Sequence, residues 1–301
     1  KPWAQEASAR AQQDHLDRMS GGTVVASLVP GLNEVHPVVP SPPLVSVIIP
    51  TAGAANDHGR FVDAAVASLR EHESSVPLEI TAVTTGEIAP IDGVDAQVVL
   101  EPPFNFSMAI NTGRRHSRGE FLFLLNDDTS VASDQPVLRL IEMASDPRVG
   151  VVGALLTYPD GRIQHAGMIL LPTGPTHAHI ARPGSFPGYF GSTLTPRNFS
   201  AVTAAAMLIR ASTFDELDGL DTEFARDFND VDFCLRARQA GYRIAWTPYA
   251  HLTHHEGASI VRKKADPQEQ ELFDQRWGSM GVDPYYSPAL HQELNRLYEA
   301  R

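Results

Sequence analysis

Cysteine is nearly absent. Cys234 is the only one in 301 residues, so no intrachain disulfide can form, which fits a reducing compartment. Long apolar runs are missing too. The longest, Val149 to Leu156 and Ala201 to Ile209, have the length of a core strand and fall well short of the ~20 residues that span a bilayer. Positive charge is scarce: 24 Lys and Arg against 36 Asp and Glu give a net charge of −12, which argues against nonspecific binding to nucleic acid or an anionic membrane. An anionic ligand would need a local counter-charge, and a bound divalent cation could supply it. No signal-peptide pattern and no internal repeat is visible. The chain starts at Lys1 rather than at methionine, as a piece of a longer protein would.

What is present is an ordinary core-forming composition, 43% hydrophobic and 20% charged, long enough for one large α/β domain with appendages. Residues 1–43 read as an N-terminal extension. A polar, helix-permissive stretch to Met19 is followed by an extended linker set by Pro30, Pro37, Pro40, Pro42 and Pro43. The core begins at Leu44–Thr51, a buried strand that Pro50 is expected to stop. Helices are predicted near 60–72, 106–118, 136–144 and 228–240, with Asn105 or Ser107 capping the second and Gly119 stopping it. Strands are predicted near 78–84, 96–100, 120–125, 149–157, 201–209 and 242–246. This alternation predicts a doubly wound, mostly parallel sheet. Residues 172–198, rich in Pro and Gly and carrying His177 and His179, read as one long loop able to close over a ligand. From Pro267 one or two amphipathic helices are expected, packing through Leu272, Phe273, Trp277, Leu290, Leu294 and Leu297.

Three polar clusters stand out. Asn126-Asp127-Asp128 ends a run of five apolar residues, so it delivers two carboxylates to the carboxyl end of a buried strand, where open α/β sheets bind ligands and where a hard cation finds oxygen donors. The plain alternative is an acidic turn. Asp227-Phe228-Asn229-Asp230-Val231-Asp232 opens a helix. One carboxylate there is a cap favoured by the helix dipole, but three acids exceed what a cap needs, and an ionised one beside a hydroxyl is a general base. His251, His254 and His255 offer imidazoles without the spacing of a zinc hydrolase, so a structural role competes with metal binding.

In order and spacing these clusters resemble a family 2 glycosyltransferase of the GT-A fold, closest to bacterial domains that build rhamnose-containing and other cell-surface polysaccharides. The resemblance runs from Val45 to Ser259. It rests on Val45–Thr51 (VSVIIPT), Phe104–Asn111 (FNFSMAIN), Leu125–Thr129 (LNDDT), Gln164–Gly167 (QHAG), Thr203–Arg210 (TAAAMLIR), Phe228–Arg236 (FNDVDFCLR) and His254–Glu256 with Ser259. It implies a GT-A domain over 44–262 with a C-terminal helical extension over 263–301. The implied activity is inverting transfer of a sugar from a UDP- or dTDP-sugar to a hydroxyl of a glycan or glycoconjugate. Asp128 and His254 would bind Mn²⁺ or Mg²⁺, with His255 a neighbour. Asp230 would be the base, and Pro50, Thr51, Thr84, Asn111, Asn126 and Asp127 would border the nucleotide. No nucleic-acid partner and no transmembrane segment are implied; the location would be cytoplasmic, the inner face of the cell membrane included.

The chain departs from the pattern in places. Where relatives often carry Asp after the second strand, it has Val83-Thr84-Thr85-Gly86; Asn229 replaces a common Glu; and Ser259-Ile260-Val261 replaces a Ser-Arg-Gly continuation, with Arg262 or Lys263 as substitutes. Two competing readings remain. A sugar-nucleotide-forming transferase would use Gly53, Gly59 and Arg60 as a phosphate loop. A scaffold domain would keep the fold and lose catalysis.

Overall fold

The structure, a computed structural model, describes residues 2–19, 21–27, 29–255, 265–278 and 282–301. The chain opens with helix α1 (Pro2–Arg18) and a hairpin of β1 (Gly22–Ala26) and β2 (Asn33–Pro37). A hairpin thus replaces most of the expected linker. Pro30 falls in its turn and Pro37 is the last residue of β2, so neither removes an interior ladder bond. The hairpin is tied to the main body where the His36 ring meets Glu142 at 3.1 Å.

The main body then runs β3 (Val45–Thr51), β4 (Ala55–Asn56), β5 (Gly59–Arg60), α2 (Phe61–His72), β6 (Leu78–Thr85), β7 (Ala96–Leu100), α3 (Phe106–Arg115), β8 (Phe121–Leu125) and β9 (Thr129–Val131). It continues through α4 (Pro136–Ala144), β10 (Val149–Thr157), β11 (Ile163–His165), β12 (Met168–Leu171), β13 (Gly174–His177), β14 (Arg197–Phe199), β15 (Ala206–Arg210), α5 (Ala211–Glu216), α6 (Asn229–Gln239), β16 (Arg243–His254) and α7 (Pro267–Trp277). The central sheet has the order β14-β16-β10-β15-β8-β3-β6-β7. β3 pairs in parallel with β6 and β8, β6 with β7, and β10 with β16; β15 runs antiparallel between β8 and β10. The sheet is mostly parallel, as the strand–helix alternation predicts.

Alternation along the strands feeds two cores, one on each face. On β8, Phe121, Phe123 and Leu125 join Val45, Val47 and Ile49 under α2 and α4, while Leu122 and Leu124 join Ile48 on the opposite face with α3 and α6. Both faces are covered, so such strands read as unbroken apolar runs. Each fully buried Leu, Ile or Phe contributes about 1.5–3 kcal/mol relative to exposure. The order of the strands reverses at β3, whose chain neighbours β6 and β8 lie on either side of it, and the carboxyl ends of β3 and β8 open side by side.

Several predicted boundaries move. β3 continues through Pro50 to Thr51: the ladder to β8 ends at Ile48, so Pro50 lies where β3 has a neighbour on one side only. α3 ends at Arg115, and Gly119 serves the next element instead, donating its N–H to Ser46 Oγ at 2.7 Å. Ala201–Ala205 precedes β15 rather than belonging to it. The long loop after β12 contains β13 and β14. β16 is a single strand of 12 residues that ends at His254, so His251 and His254 lie on it and only His255 follows it. After α7 the expected second helix is only a 3-10 turn at Leu294–Arg296, with Leu294 64% exposed.

Candidate active site

At the end of β8 the backbone turns, closed by the Thr129 hydroxyl donating to Asn126 O at 2.8 Å. The turn sends its three side chains to different partners. Asp127 reaches across the switch point and accepts from Thr51 Oγ1 at 2.6 Å, while that hydroxyl also accepts from Gly53 N at 2.9 Å. Asp128 Oδ1 lies 2.9 Å from His254 Nε2, and the Asn126 amide lies 3.2 Å from the same nitrogen. The register holds this in place: Thr129 pairs with His254 across β9–β16, and His255 N–H donates to Asp128 O at 2.9 Å. Asp127 and Asp128 are only 7% and 6% exposed, which goes beyond a solvated acidic turn.

The His254 ring is oriented from behind. Its Nδ1 faces the Gln164 Oε1 acceptor at 2.7 Å, so Nδ1 carries a proton and Nε2 is the nitrogen turned towards Asp128. Two acceptors that converge at 2.9 Å need a positive charge between them, either an imidazolium proton or a cation. Neighbouring ligands of an octahedral cation bound at ~2.1 Å lie about 3 Å apart, so this spacing suits a small divalent ion. Among the described residues no group of three or more His, Cys, Asp and Glu side chains could hold a metal.

The acids around the start of α6 divide their work. Asp227 accepts from Asp266 N at 2.9 Å, and Asp232, wholly buried, binds Arg236, Arg276 and Trp277 Nε1 at 2.8, 2.9 and 2.9 Å. Both are structural. Asp230 instead accepts from Ala204 N at 3.1 Å and Val231 N at 2.8 Å and bonds the Thr203 hydroxyl. Asp230 is half-buried, and this desolvation pushes its carboxyl above the usual range, while these donors and His177 oppose the rise. Phe228, at φ 60, fills the cap position of α6 without a side-chain cap bond, so Asp230 is not the cap.

The other predicted residues have their own contacts. Thr84 is fully buried and donates to Gly86 O at 2.9 Å. Pro50 is buried beside it in the ladder. Asn111 clips the loop before α6, donating to Leu220 O at 2.7 Å and accepting from Leu220 N at 2.9 Å. His251 meets the Thr157 hydroxyl at 2.9 Å and is a structural histidine whose pKa burial lowers. Glu256, Ser259, Arg262 and Lys263 lie outside the described residues. The loop proposed for phosphate in a nucleotide-forming enzyme is a small hairpin whose Arg60 is held by Asp63 and the carbonyls of Ala89 and Pro90. That guanidinium is already engaged.

Gln164, His165, His177 and Thr203 gather at the site without having been given roles from the sequence. The available signal was a polar pair inside a short apolar stretch: Gln164 and His165 on β11 are 4% and 1% exposed. Gly167 follows at φ 90, where a Cβ would lie 2.2 Å from the Phe199 ring, so the QHAG glycine is a packing requirement.

No protein-family profile matches the chain. It is 38% identical over 317 aligned positions to the uncharacterized protein y4gI of Sinorhizobium fredii, covering 98% of this chain and 34% of that one. It is 32% identical over 298 positions to the O-antigen biosynthesis protein RfbC of Myxococcus xanthus, covering 95% and 23%. A third relative, N-acetylglucosaminyl-diphospho-decaprenol L-rhamnosyltransferase of Mycobacterium tuberculosis, is 30% identical over 135 positions, 42% of this chain and 44% of that one. The chain thus spans between 23% and 44% of the length of these curated relatives. Among solved structures it superposes on GalNAc-T7 with UDP, GalNAc and Mn²⁺ at a TM-score of 0.61 and 15% identity, over 91% of this chain and 56% of that one. It also superposes on the mannosyltransferase PcManGT of Pyrobaculum calidifontis in complex with GDP-Man and Mn²⁺ at 0.50 and 15%, over 91% and 77%.

Proposed function

We infer that this chain, a family 2-like glycosyltransferase domain of the GT-A fold, moves a sugar with inversion from a UDP- or dTDP-sugar to a hydroxyl of a glycan or glycoconjugate in cell-surface polysaccharide synthesis. The observation that carries this reading is the division of the site. Asp128 and His254 converge at 2.9 Å on one side, and Asp230 sits apart from them at the start of α6.

The donor set fits a divalent cation, Mn²⁺ or Mg²⁺: a carboxylate oxygen beside an imidazole nitrogen whose lone pair Gln164 turns forward. When bound, such an ion would neutralise the charge that gathers on a departing diphosphate. Thr51 and Asp127, joined across the ends of β3 and β8, border the place of the nucleotide, with Asn126 beside them.

Asp230 receives the acceptor's proton. The acceptor oxygen forms its bond to the anomeric carbon on the face opposite the diphosphate, the carbon–oxygen bond to phosphate breaks with its electron pair leaving on the diphosphate, and the hydroxyl proton passes to Asp230. Burial makes this carboxylate a stronger base, while the N–H groups of Ala204 and Val231 and the Thr203 hydroxyl fix its direction.

Thermal shift with a panel of nucleoside-diphosphate sugars, with and without Mn²⁺, tests the donor side. One donor should stabilise the protein only with Mn²⁺, by about 2.7 kcal/mol at a hundredfold excess over Kd. Asp128→Ala should lose that response; if it keeps it, the metal assignment is wrong. Asp230→Asn should bind donor normally while transfer falls by about 10²–10⁴. Near-normal transfer would remove Asp230 as the base.

A further inference from the structure

Between β13 and β14 the chain makes a braced turn that carries two aromatic rings outwards. The Thr193 hydroxyl donates to Phe186 O at 2.6 Å, and Ser192 N–H donates to Tyr189 O at 3.2 Å. Gly188, at φ 71, lets the chain pass close to Ser192, whose hydroxyl a Cβ would meet at 2.3 Å. The turn leaves Tyr189 and Phe190 43% and 88% exposed, set edge-on with centroids 4.7 Å apart. Phe190 does so with left-handed backbone, φ 53, which bulky residues seldom adopt. Neither burial nor backbone preference accounts for a phenyl ring held there.

The two rings open a cleft of about 450 Å³, a volume in the range of small-ligand sites, which Tyr298, Phe186, Arg182 and Glu299 also line. Tyr298 is fixed from behind by the stacked ring of His179, centroids 4.0 Å apart at 19°. The guanidinium of Arg182 lies over the Phe186 ring, 5.5 Å from its centroid, and has no carboxylate partner among the described residues. Glu299 accepts from Arg296 through Oε2 at 3.0 Å, and its other oxygen remains to accept a further bond. The left-handed residues Phe190, Tyr298, His179 and Ala181 meet around this one cleft, and such strain gathers at ligand clamps. The cleft is also tied to the transfer site through the backbone. Ala181 N–H donates to Ile163 O and Ile163 N–H to Arg182 O, both at 2.7 Å. Arg182 is thus laced to β11 one residue, about 3.3 Å of strand, before Gln164, which orients His254.

Aromatic faces framed by an arginine and a glutamate suit a pyranose ring. Its C–H face packs on the electron-rich face of an aromatic ring, while its hydroxyls accept from the guanidinium and donate to the carboxylate. A lipid chain would fill the same cleft but strand both charged groups on its rim. We propose that this cleft binds a sugar ring of the acceptor glycan other than the one that reacts, stacked on Phe190 and Tyr189 and held by Arg182 and Glu299. The proposal rests on the chain being a glycosyltransferase with a glycan acceptor. Acceptor choice then lies partly in a turn outside the central sheet, on a residue whose ring the fold itself does not need.

Saturation-transfer NMR on the full chain without nucleotide tests this, with the methyl glycosides of rhamnose, mannose, galactose and N-acetylglucosamine at millimolar concentration as probes. The ring C–H protons of at least one glycoside should receive saturation. That signal should fall about tenfold in Phe190→Gly and persist in Phe190→Tyr, which keeps a stacking face. Phe190→Gly removes an exposed ring and relieves a left-handed backbone, so the variant keeps its fold. No transfer to any glycoside, or transfer that Phe190→Gly leaves unchanged, overturns the proposal. Transfer confined to the alkyl protons of octyl β-glucoside also overturns it and makes the cleft a lipid site. The thermal-shift response of the wild type to nucleoside-diphosphate sugars separates the two readings. A donor response without glycoside binding refutes the cleft alone; glycoside binding without any donor response refutes the transferase reading and leaves a sugar-binding cleft.

Discussion

His179 offers a sharp test because its expected effect has a sign, a size and a pH window. The ring is 6% exposed, stacks on Tyr298 with centroids 4.0 Å apart at 19°, and meets Ser192 Oγ at 2.8 Å. Burial first, then the charges of Arg197 and Arg182, lower its pKa from 6.5 to about 4. A histidine depressed in the folded state takes up its proton more readily when unfolded, so acid favours the unfolded chain. Its contribution is complete above pH 6.5 and is lost as pH falls towards 4. With those two values the loss between pH 8 and pH 5 is about 2 kcal/mol, and it approaches ~3 kcal/mol at lower pH. His179→Asn suits the test, since the backbone there is left-handed at φ 56 and Asn tolerates that region. Urea unfolding at pH 8 and pH 5 should show wild type losing about 2 kcal/mol more than the variant over that interval. Constant costs such as the lost stack cancel in this double difference. Equal pH dependence in the two proteins would refute the reasoning.

Two further outcomes follow from the same contacts. Gln164→Leu should leave the fold intact and weaken Mn²⁺-dependent donor stabilisation by about 10–100-fold in apparent affinity, because the His254 ring loses the partner that sets its tautomer; titrating Mn²⁺ in thermal shift reads this, and unchanged affinity would count against it. Asp232→Ala should destabilise by about 3–5 kcal/mol in denaturant unfolding by stranding Arg236, Arg276 and the Trp277 N–H, and a cost under ~1 kcal/mol would show that these groups repair themselves.

The sheet was legible because both its faces are covered: β8 and β10 announce themselves as apolar runs of strand length, and β7 and β10 match their predicted spans. The acidic turn was legible for the same reason, since a change from five buried residues to three polar ones marks a strand end. The partners of that turn were not. Gln164 and His165 sit on a three-residue strand, too short for a period-2 pattern to appear. His177 and His179 looked equivalent in the sequence, yet one faces His165 and the other stacks on Tyr298. Only pairing across distant segments separates them. Asn111 shows the reverse: a residue matching a motif block is engaged in holding a loop. Pro50 misled as a stop signal because its cost depends on which side of the strand lacks a neighbour.

The Asp232 contacts have a bearing on how the domain matures during synthesis. The helix that presents Asp230 buries, two residues further on, a carboxylate whose counter-charges come partly from Arg276, with Trp277 donating beside it, on α7. A ribosome that has released the chain only as far as β16 has exposed every strand of the central sheet and both groups of the Asp128–His254 pair, but not the segment that settles α6. The order of emergence therefore separates two sets of contacts: the Asp128–His254 pair comes first, and the contacts that fix the helix carrying Asp230 come last.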